Sequence, residues 1–184
     1  MSIMGVDYSL SSPALCVFHG KGDWTVDDCT FYYFAKKNQL VFDKNFQASL
    51  YPKDYNGDTE RFDLLSDWAM DVVKGREVKR ACIEGYAFGA VGRVFNIAEN
   101  CGILKHKLMK AKVPFTTPAP SEIKKFASGK GNCNKEVMYE SFQAETGWDL
   151  RKRMFCEKGW NPISDVVDAY YLAKFEYERM KNCS

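Results

Sequence analysis

The chain has 184 residues, of which 46% are hydrophobic and 27% are charged, and its formal net charge is only +2 at pH 7. These values exclude a disordered chain and favour a single domain spanning residues 1–184. No apolar run approaches the ~18 residues of a membrane span, so we expect no membrane contact. The first residues lack the basic stretch of a signal peptide, and we therefore expect a cytoplasmic protein.

Seven cysteines occur in the chain, and no two of them form a C-x-x-C pair. An odd number without metal-ligand spacing predicts reduced, mostly buried thiols rather than disulfides or a zinc site.

The small net charge conceals an uneven distribution. Residues 74–135 carry 13 basic and 4 acidic side chains, a net charge of +9, whereas the flanking segments carry −5 and −2. A basic middle segment suggests a polyanionic partner such as nucleic acid. The alternative is that these lysines only solvate helix faces.

Three strands are predicted near residues 2–8, 14–19 and 28–35, with the short spacing of an antiparallel meander. The first strand ends on Asp7, and an unpaired carboxylate among apolar residues is costly to bury. A bound Mg²⁺ is one way to offset that cost. Residues 36–58 are polar and irregular, which predicts a long loop with room for a short hairpin.

The next segment alternates helices and strands. Thr59 is the predicted N-cap of a helix that runs to Lys74, and a short apolar strand then ends on Glu84. A helix over 93–112 and a strand at 113–116 follow. This succession after a meander predicts an α/β fold, with a mixed sheet flanked by helices.

The C-terminal third is predicted to be helical. Pro120 begins a short helix, a glycine turn at 129–131 interrupts it, and Asn134 caps a helix over 135–146. A basic, tryptophan-containing stretch precedes the last helix, which we expect to begin at Asn161-Pro162 with the proline in its first turn. That helix carries Asp165 and Asp168, whose i, i+3 spacing lets both point at one site.

Four carboxylates from two strand ends and one helix have the donor set for two divalent metal ions. Two such ions can activate water and stabilise the leaving oxygen in phosphodiester cleavage. Each acid also has a simpler explanation. Asp7 and Glu84 could be turn or solvated strand-end carboxylates, and the aspartates of the last helix could stabilise its dipole.

Five motifs, in order, resemble those of the RuvC-type Holliday junction resolvases. They are G-V-D-Y-S at 5–9, I-E-G-Y-A-F at 83–88, N-C-G at 100–102, A-P-S-E-I-K-K followed by G-K-G-N-C-N-K between 119 and 135, and D-V-V-D-A at 165–169. The resemblance implies an RNase H-like fold with a five-stranded mixed sheet flanked by helices. It also implies that Gly102 lets its helix pack closely.

The resemblance further implies a homodimer that cuts four-way DNA junctions with two Mg²⁺ or Mn²⁺ ions per site and no nucleotide cofactor. The metal-binding and catalytic carboxylates would be Asp7, Glu84, Asp165 and Asp168, and Lys135 would act at the scissile phosphate. The DNA-binding residues carried over are Tyr86, Phe88, Arg93, Lys124, Lys125, Lys130 and Lys135. The two aromatics are also open to a role in the core.

Residues 36–58 and 147–161 are longer than in bacterial members, which suggests a divergent viral or phage protein that accepts forks or flaps. Two other functions stay open. One is an RNase H-like nuclease acting on RNA–DNA hybrids or replication forks, and the other is a branched-DNA-binding module without catalysis.

Overall fold

The computed structural model describes residues 2–37, 40–86 and 94–182. The strands are β1 (Ile3–Asp7), β2 (Ala14–Phe18), β3 (Cys29–Phe34), β4 (Phe46–Ser49), β5 (Arg80–Ile83) and β6 (Phe115–Thr116). The α-helices are α1 (Asp58–Gly75), α2 (Val94–Lys110), α3 (Pro120–Ser128), α4 (Lys135–Thr146), α5 (Leu150–Arg153) and α6 (Ile163–Lys181).

The strands form one mixed sheet in the order β4-β3-β2-β1-β5-β6. β1, β2 and β3 form the predicted antiparallel meander, and β5 pairs parallel with both β1 and β6. The prediction of an α/β fold with a mixed sheet is thereby confirmed. Because β1 and β5 are parallel neighbours, their carboxyl ends lie at the same edge of the sheet.

The sheet has six strands rather than the expected five. The additional strand, β4, lies inside the segment predicted to be a loop and pairs parallel with β3. Only Phe46 and Ala48 of its four residues are buried, so its apolar pattern is too short to detect among polar neighbours. A bridge between Phe42 and Gln47 confirms the short hairpin expected in this segment.

Two helix starts differ from the prediction. α1 begins at Asp58 and its N-cap is Gly57, whose positive φ of 87° turns the chain without a side-chain cap, so Thr59 lies inside the helix. Pro162 is the N-cap of α6 rather than a residue of its first turn. Both differences are within one or two residues, as is usual at helix ends.

Helices cover both faces of the sheet and bury an apolar core on each. α1 and α2 cover one face, whereas α3, α4 and α6 cover the other. Gly5 allows α6 to lie directly on β1, because a Cβ there would be 2.1 Å from the Ala169 carbonyl oxygen. The expectation for Gly102 is wrong, since a Cβ at that exposed position would meet no atom within 4 Å.

The six cysteines in the described ranges are free and buried, as predicted. Within these same ranges, no helix is both long and apolar enough to cross a membrane.

Candidate active site

The sheet edge at the carboxyl ends of β1 and β5 carries two of the predicted acids side by side. Asp7 is the last residue of β1, and Glu84 directly follows β5. The Glu84 N–H donates to the Val6 carbonyl at 3.0 Å, which extends the parallel pairing up to the acid. Gly85 then turns the chain, and its N–H donates to the Pro118 carbonyl at 2.8 Å.

The first turns of α6 bring the other two acids to the same edge. Asp7, Glu84, Asp165 and Asp168 line one cleft of about 310 Å³. Lys124 from α3 and Lys135 from the first turn of α4 line it as well. Four predicted site residues with carboxylate side chains and two predicted lysines therefore lie around the same cleft.

The carboxylates raise one another's pKa values. Burial raises the pKa of Asp7 well above its usual value, and repulsion from Asp165, Glu84 and Asp168 raises it further. The pKa of Asp168 rises to about 7, first because of burial and then because of Glu84 and Asp165. Burial also raises the pKa of Glu84, which Lys124 partly offsets. The cleft therefore holds more negative charge than its two lysines balance.

Burial likewise raises the pKa of Asp165, although hydrogen bonds from Ser12 and from Asp7 act in the opposite direction. The contact with Asp165 in turn raises the pKa of Asp7. The second oxygen of Asp165, Oδ2, is buried without a hydrogen-bond partner. The site thus contains an unsatisfied acceptor among closely spaced carboxylates, and a cation could bind there.

This donor set fits a hard divalent cation such as Mg²⁺, which prefers carboxylate oxygens. Across residues 2–37, 40–86 and 94–182, no three His, Cys, Asp or Glu side chains are already arranged around a common point as metal ligands. Metal binding would therefore require these carboxylates to move toward a common point.

The other predicted residues lie around the cleft. Lys135 Nζ donates to Ser164 Oγ at 3.1 Å, which holds the ammonium beside the aspartates of α6. Lys125 and Lys130 are exposed and do not line the cleft. Tyr86 is 42% exposed, so it is not a core residue.

Tyr86 lines an adjoining, largely apolar pocket that also includes Asp7 and Glu84. Lys105 Nζ lies 4.7 Å from the centroid of its ring. Phe88 and Arg93 lie outside the described residues. The catalytic, metal-binding and DNA-binding roles of all these residues stay predictions.

Ser12 is a site residue that the sequence analysis missed. It is buried, its N–H donates to Ser9 Oγ at 3.1 Å, and its hydroxyl accepts from Asn161 Nδ2 at 2.9 Å. The same hydroxyl donates to Asp165. A serine-rich turn directly after the Asp7 strand was a detectable signal for Ser12, whereas nothing local marks Asn161.

No protein-family model and no curated protein sequence matches this chain. Solved structures do match. Thermus thermophilus RuvC has a TM-score of 0.62 at 16% identity, with 98% of this chain and 97% of that chain covered. The same protein in complex with Holliday junction substrate has a TM-score of 0.66 at 16% identity, covering 98% and 96%.

The Fowlpox virus resolvase, solved with substrate Holliday junction DNA, has a TM-score of 0.53 at 12% identity and covers 98% of this chain and 99% of that chain. Identities this low establish a common fold. The chain has the RNase H-like fold of the RuvC-type resolvases, and the resemblance found in the sequence motifs is confirmed at that level.

Proposed function

We propose that this protein is a metal-dependent endonuclease that cuts branched DNA, with the four-way junction as its main substrate. The observation that supports the proposal most directly is the convergence of Asp7, Glu84, Asp165 and Asp168 in one cleft. This cleft lies on a fold shared with resolvases whose structures were solved with Holliday junctions.

The four carboxylates would hold two Mg²⁺ or Mn²⁺ ions. When bound, the ions supply the positive charge that activates the attacking water and stabilises the leaving oxygen. The carboxylates themselves fix the ions at the sheet edge. Their mutual repulsion keeps the empty site high in free energy, which favours the binding of cations.

The basic side chains would hold the substrate. Lys124 and Lys135 face the cleft and would contact the scissile phosphate or its neighbours. The exposed Lys125 and Lys130 would contact the DNA backbone farther out, together with Arg93. Contacts of this kind predict an affinity that falls steeply with salt and depends little on base sequence.

The aromatic side chains after Glu84 would act at the branch point. Tyr86 is partly exposed beside the acids, where it could stack on a base. Phe88 is the other candidate from the sequence motif.

A homodimer would bring two clefts to the symmetric strands of one junction, and light scattering under cleavage conditions tests that part of the proposal.

The decisive assay offers the protein a four-way junction, a linear duplex and an RNA–DNA hybrid with Mg²⁺, and compares wild type with Asp7→Asn. We expect junction cleavage to fall about 10³-fold in the variant, because a central metal ligand is lost without a change in shape. Equal cutting by the two proteins would contradict the catalytic assignment.

The same panel separates the other functions. Preferential cutting of the hybrid would identify a different RNase H-like nuclease. Junction binding without cleavage, together with no Mn²⁺ binding in calorimetry, would identify a non-catalytic DNA-binding module.

A further inference from the structure

Residues 150–160, here called the Arg151 loop, form a compact unit at the start of α6. Arg151 Nη1 donates to the carbonyl oxygens of Glu157 at 3.3 Å and Gly159 at 2.9 Å. Its guanidinium also lies 4.8 Å from the centroid of the Trp160 ring. These contacts tie the two ends of the loop together, so its conformation is fixed by its own side chains.

The loop turns one aromatic side chain outward. Phe155 is 68% exposed, whereas its neighbours Met154 and Cys156 are each only 1% exposed. Its φ of 50° lies in the left-handed region, which is unfavourable for a bulky residue. Because strained backbone and exposed aromatic surface both cost free energy, their combination in a well-anchored loop suggests a binding role.

Basic residues flank Phe155 in the sequence. Lys152 has an 87% exposed side chain, and both Arg153 and Lys158 are exposed. The Arg153 guanidinium lies 3.8 Å from the centroid of the Trp148 ring, which holds it in place. Glu157 is the only acid in the loop, and Asp149, directly before the loop, forms a salt bridge with Lys152 at 3.7 Å. A basic surface with an outward aromatic matches a nucleic-acid strand better than a protein partner.

The loop is physically connected to the candidate active site. Asn161, the next residue, donates to Ser12, and Ser12 donates to Asp165. Ser12 lies in the turn between β1 and β2, and β2 is on the opposite side of β1 from β5. Because Tyr86 follows β5, Asn161 at the end of the loop and Tyr86 lie toward opposite sides of β1.

We propose that the Arg151 loop is a second DNA-contacting surface, on which Phe155 stacks against an unpaired base of a branched substrate. Lys152, Arg153 and Lys158 contact the phosphates on either side of that base. The inference rests on the proposed function, since it requires a branched DNA substrate held at the acidic cleft. An aromatic face suits this role because every base can stack on it.

The test measures the binding of a four-way junction that carries 2-aminopurine beside the branch, with Ca²⁺ in place of Mg²⁺. Phe155→Ala should bind about tenfold more weakly and lose the fluorescence change of the stacked base. Phe155→Trp should retain both properties. Phe155→Leu should retain neither, because leucine is apolar but has no aromatic face.

Met109→Ala is the matched control. Met109 is a 55% exposed apolar residue in the last turn of α2, at the opposite edge of the sheet from the acids. It should bind the junction like wild type. Lys152→Gln combined with Lys158→Gln should weaken binding to every DNA form and reduce the slope of the salt dependence by about two.

Two outcomes would overturn the loop's role without affecting the proposed function. In the first outcome, the wild type cuts junctions and Phe155→Ala binds and cuts them equally well. The other is an equal loss of affinity by Phe155→Ala for a linear duplex, which offers no unpaired base. A wild type that cuts no branched DNA would instead overturn the proposed function.

Discussion

Helix α6 carries buried carboxylates near both of its ends, and their pKa values shift in opposite directions at the two ends. Near the C-terminus, Glu176 is fully buried and bonded to Arg80, Arg179 and Thr116. Burial alone would raise the pKa of Glu176, but hydrogen bonds from these three residues lower it. Near the N-terminus, burial raises the pKa values of Asp165 and Asp168, and repulsion from Glu84 and Asp165 raises that of Asp168 further.

The comparison shows how a structural acid differs from a candidate functional acid in the same helix. Glu176 has its counter-charges built into the fold, so it needs no ligand. The aspartates share a cleft with Asp7 and Glu84, and its two lysines do not balance four carboxylates. The missing positive charge at that end must come from solvent protons or from a bound cation.

The largest expected effect on stability is near the C-terminus of α6, where Glu176 has its counter-charges. Glu176→Ala leaves Arg80 and Arg179 without their shared acceptor and removes a buried hydrogen bond from Thr116. Breaking such a network should lower the free energy of unfolding by about 3 kcal/mol, measured by urea denaturation. Glu178→Ala, at a partly exposed position two residues further along the helix, is the control and should cost less than about 0.5 kcal/mol.

Junction cleavage per folded molecule should be unchanged in Glu176→Ala, since Glu176 lies at the opposite end of α6 from the cleft. A variant as stable as wild type would show that the pairing of Glu176 contributes nothing net.

Near the N-terminus of α6, where the acids lack counter-charges, replacing an acid is expected to stabilise the protein rather than destabilise it. The pKa of Asp168 is about 7 in the folded protein, above its ordinary value of 3.8. Between these two values the folded state holds a proton that the unfolded state has released, so the free energy of unfolding falls as the pH rises. Asp168→Asn removes this penalty and should stabilise the metal-free protein by about 2 kcal/mol at pH 8.

That gain should shrink as the pH falls below 7 and disappear only below both pKa values, at about pH 3, where Asp168 is protonated in both states. Added Mg²⁺ should raise the melting temperature of wild type at pH 8, but should raise that of Asp168→Asn much less. Thermal melts with and without the metal ion measure both effects. An Asn variant that is less stable than wild type at pH 8 would contradict the electrostatic explanation.

Much of the fold and of the acidic cleft could be predicted from the sequence. Asp7 and Glu84 each end a short apolar run, and Asp165 and Asp168 have helical i, i+3 spacing. The convergence of these acids was inferred from their shared metal-ligand chemistry and from the resemblance, whereas the parallel pairing of β1 with β5 that brings two of them together was not predicted. The pairing of Glu176 with Arg80 was not predictable, because it joins positions 96 residues apart without a local signal.

Small elements were missed or misassigned for related reasons. β4 is only four residues long and lies among polar neighbours, so its pattern could not be separated from a loop. Gly102 is assigned as the close-packing glycine on resemblance alone, whereas the glycine at which a Cβ would clash with a packed helix is Gly5. The contact between Asn161 and Ser12 spans 149 positions and depends on the completed fold.

The smallest of these effects is expected at Ser12, which contacts Asp165 in the acidic cleft. It gives Asp165 one of its few internal hydrogen bonds and is itself held by Asn161. Residues that orient a metal ligand typically change metal affinity 10- to 100-fold when they are replaced. We expect Ser12→Ala to lie at the low end, with Mg²⁺ affinity reduced about tenfold, because Lys135 and Asp7 still act on Asp165.

A titration of cleavage rate against Mg²⁺ concentration measures this effect. In Ser12→Ala the curve should shift to higher Mg²⁺, with a nearly unchanged rate at saturation, and Ser12→Thr should restore it because the hydroxyl is retained. A merely structural role predicts a different result, in which the melting temperature falls and the saturating rate falls with it while the Mg²⁺ dependence stays the same. Because Ser12 contacts the acid and not the substrate, that second result would show that Asp165 needs no positioning by the turn after β1.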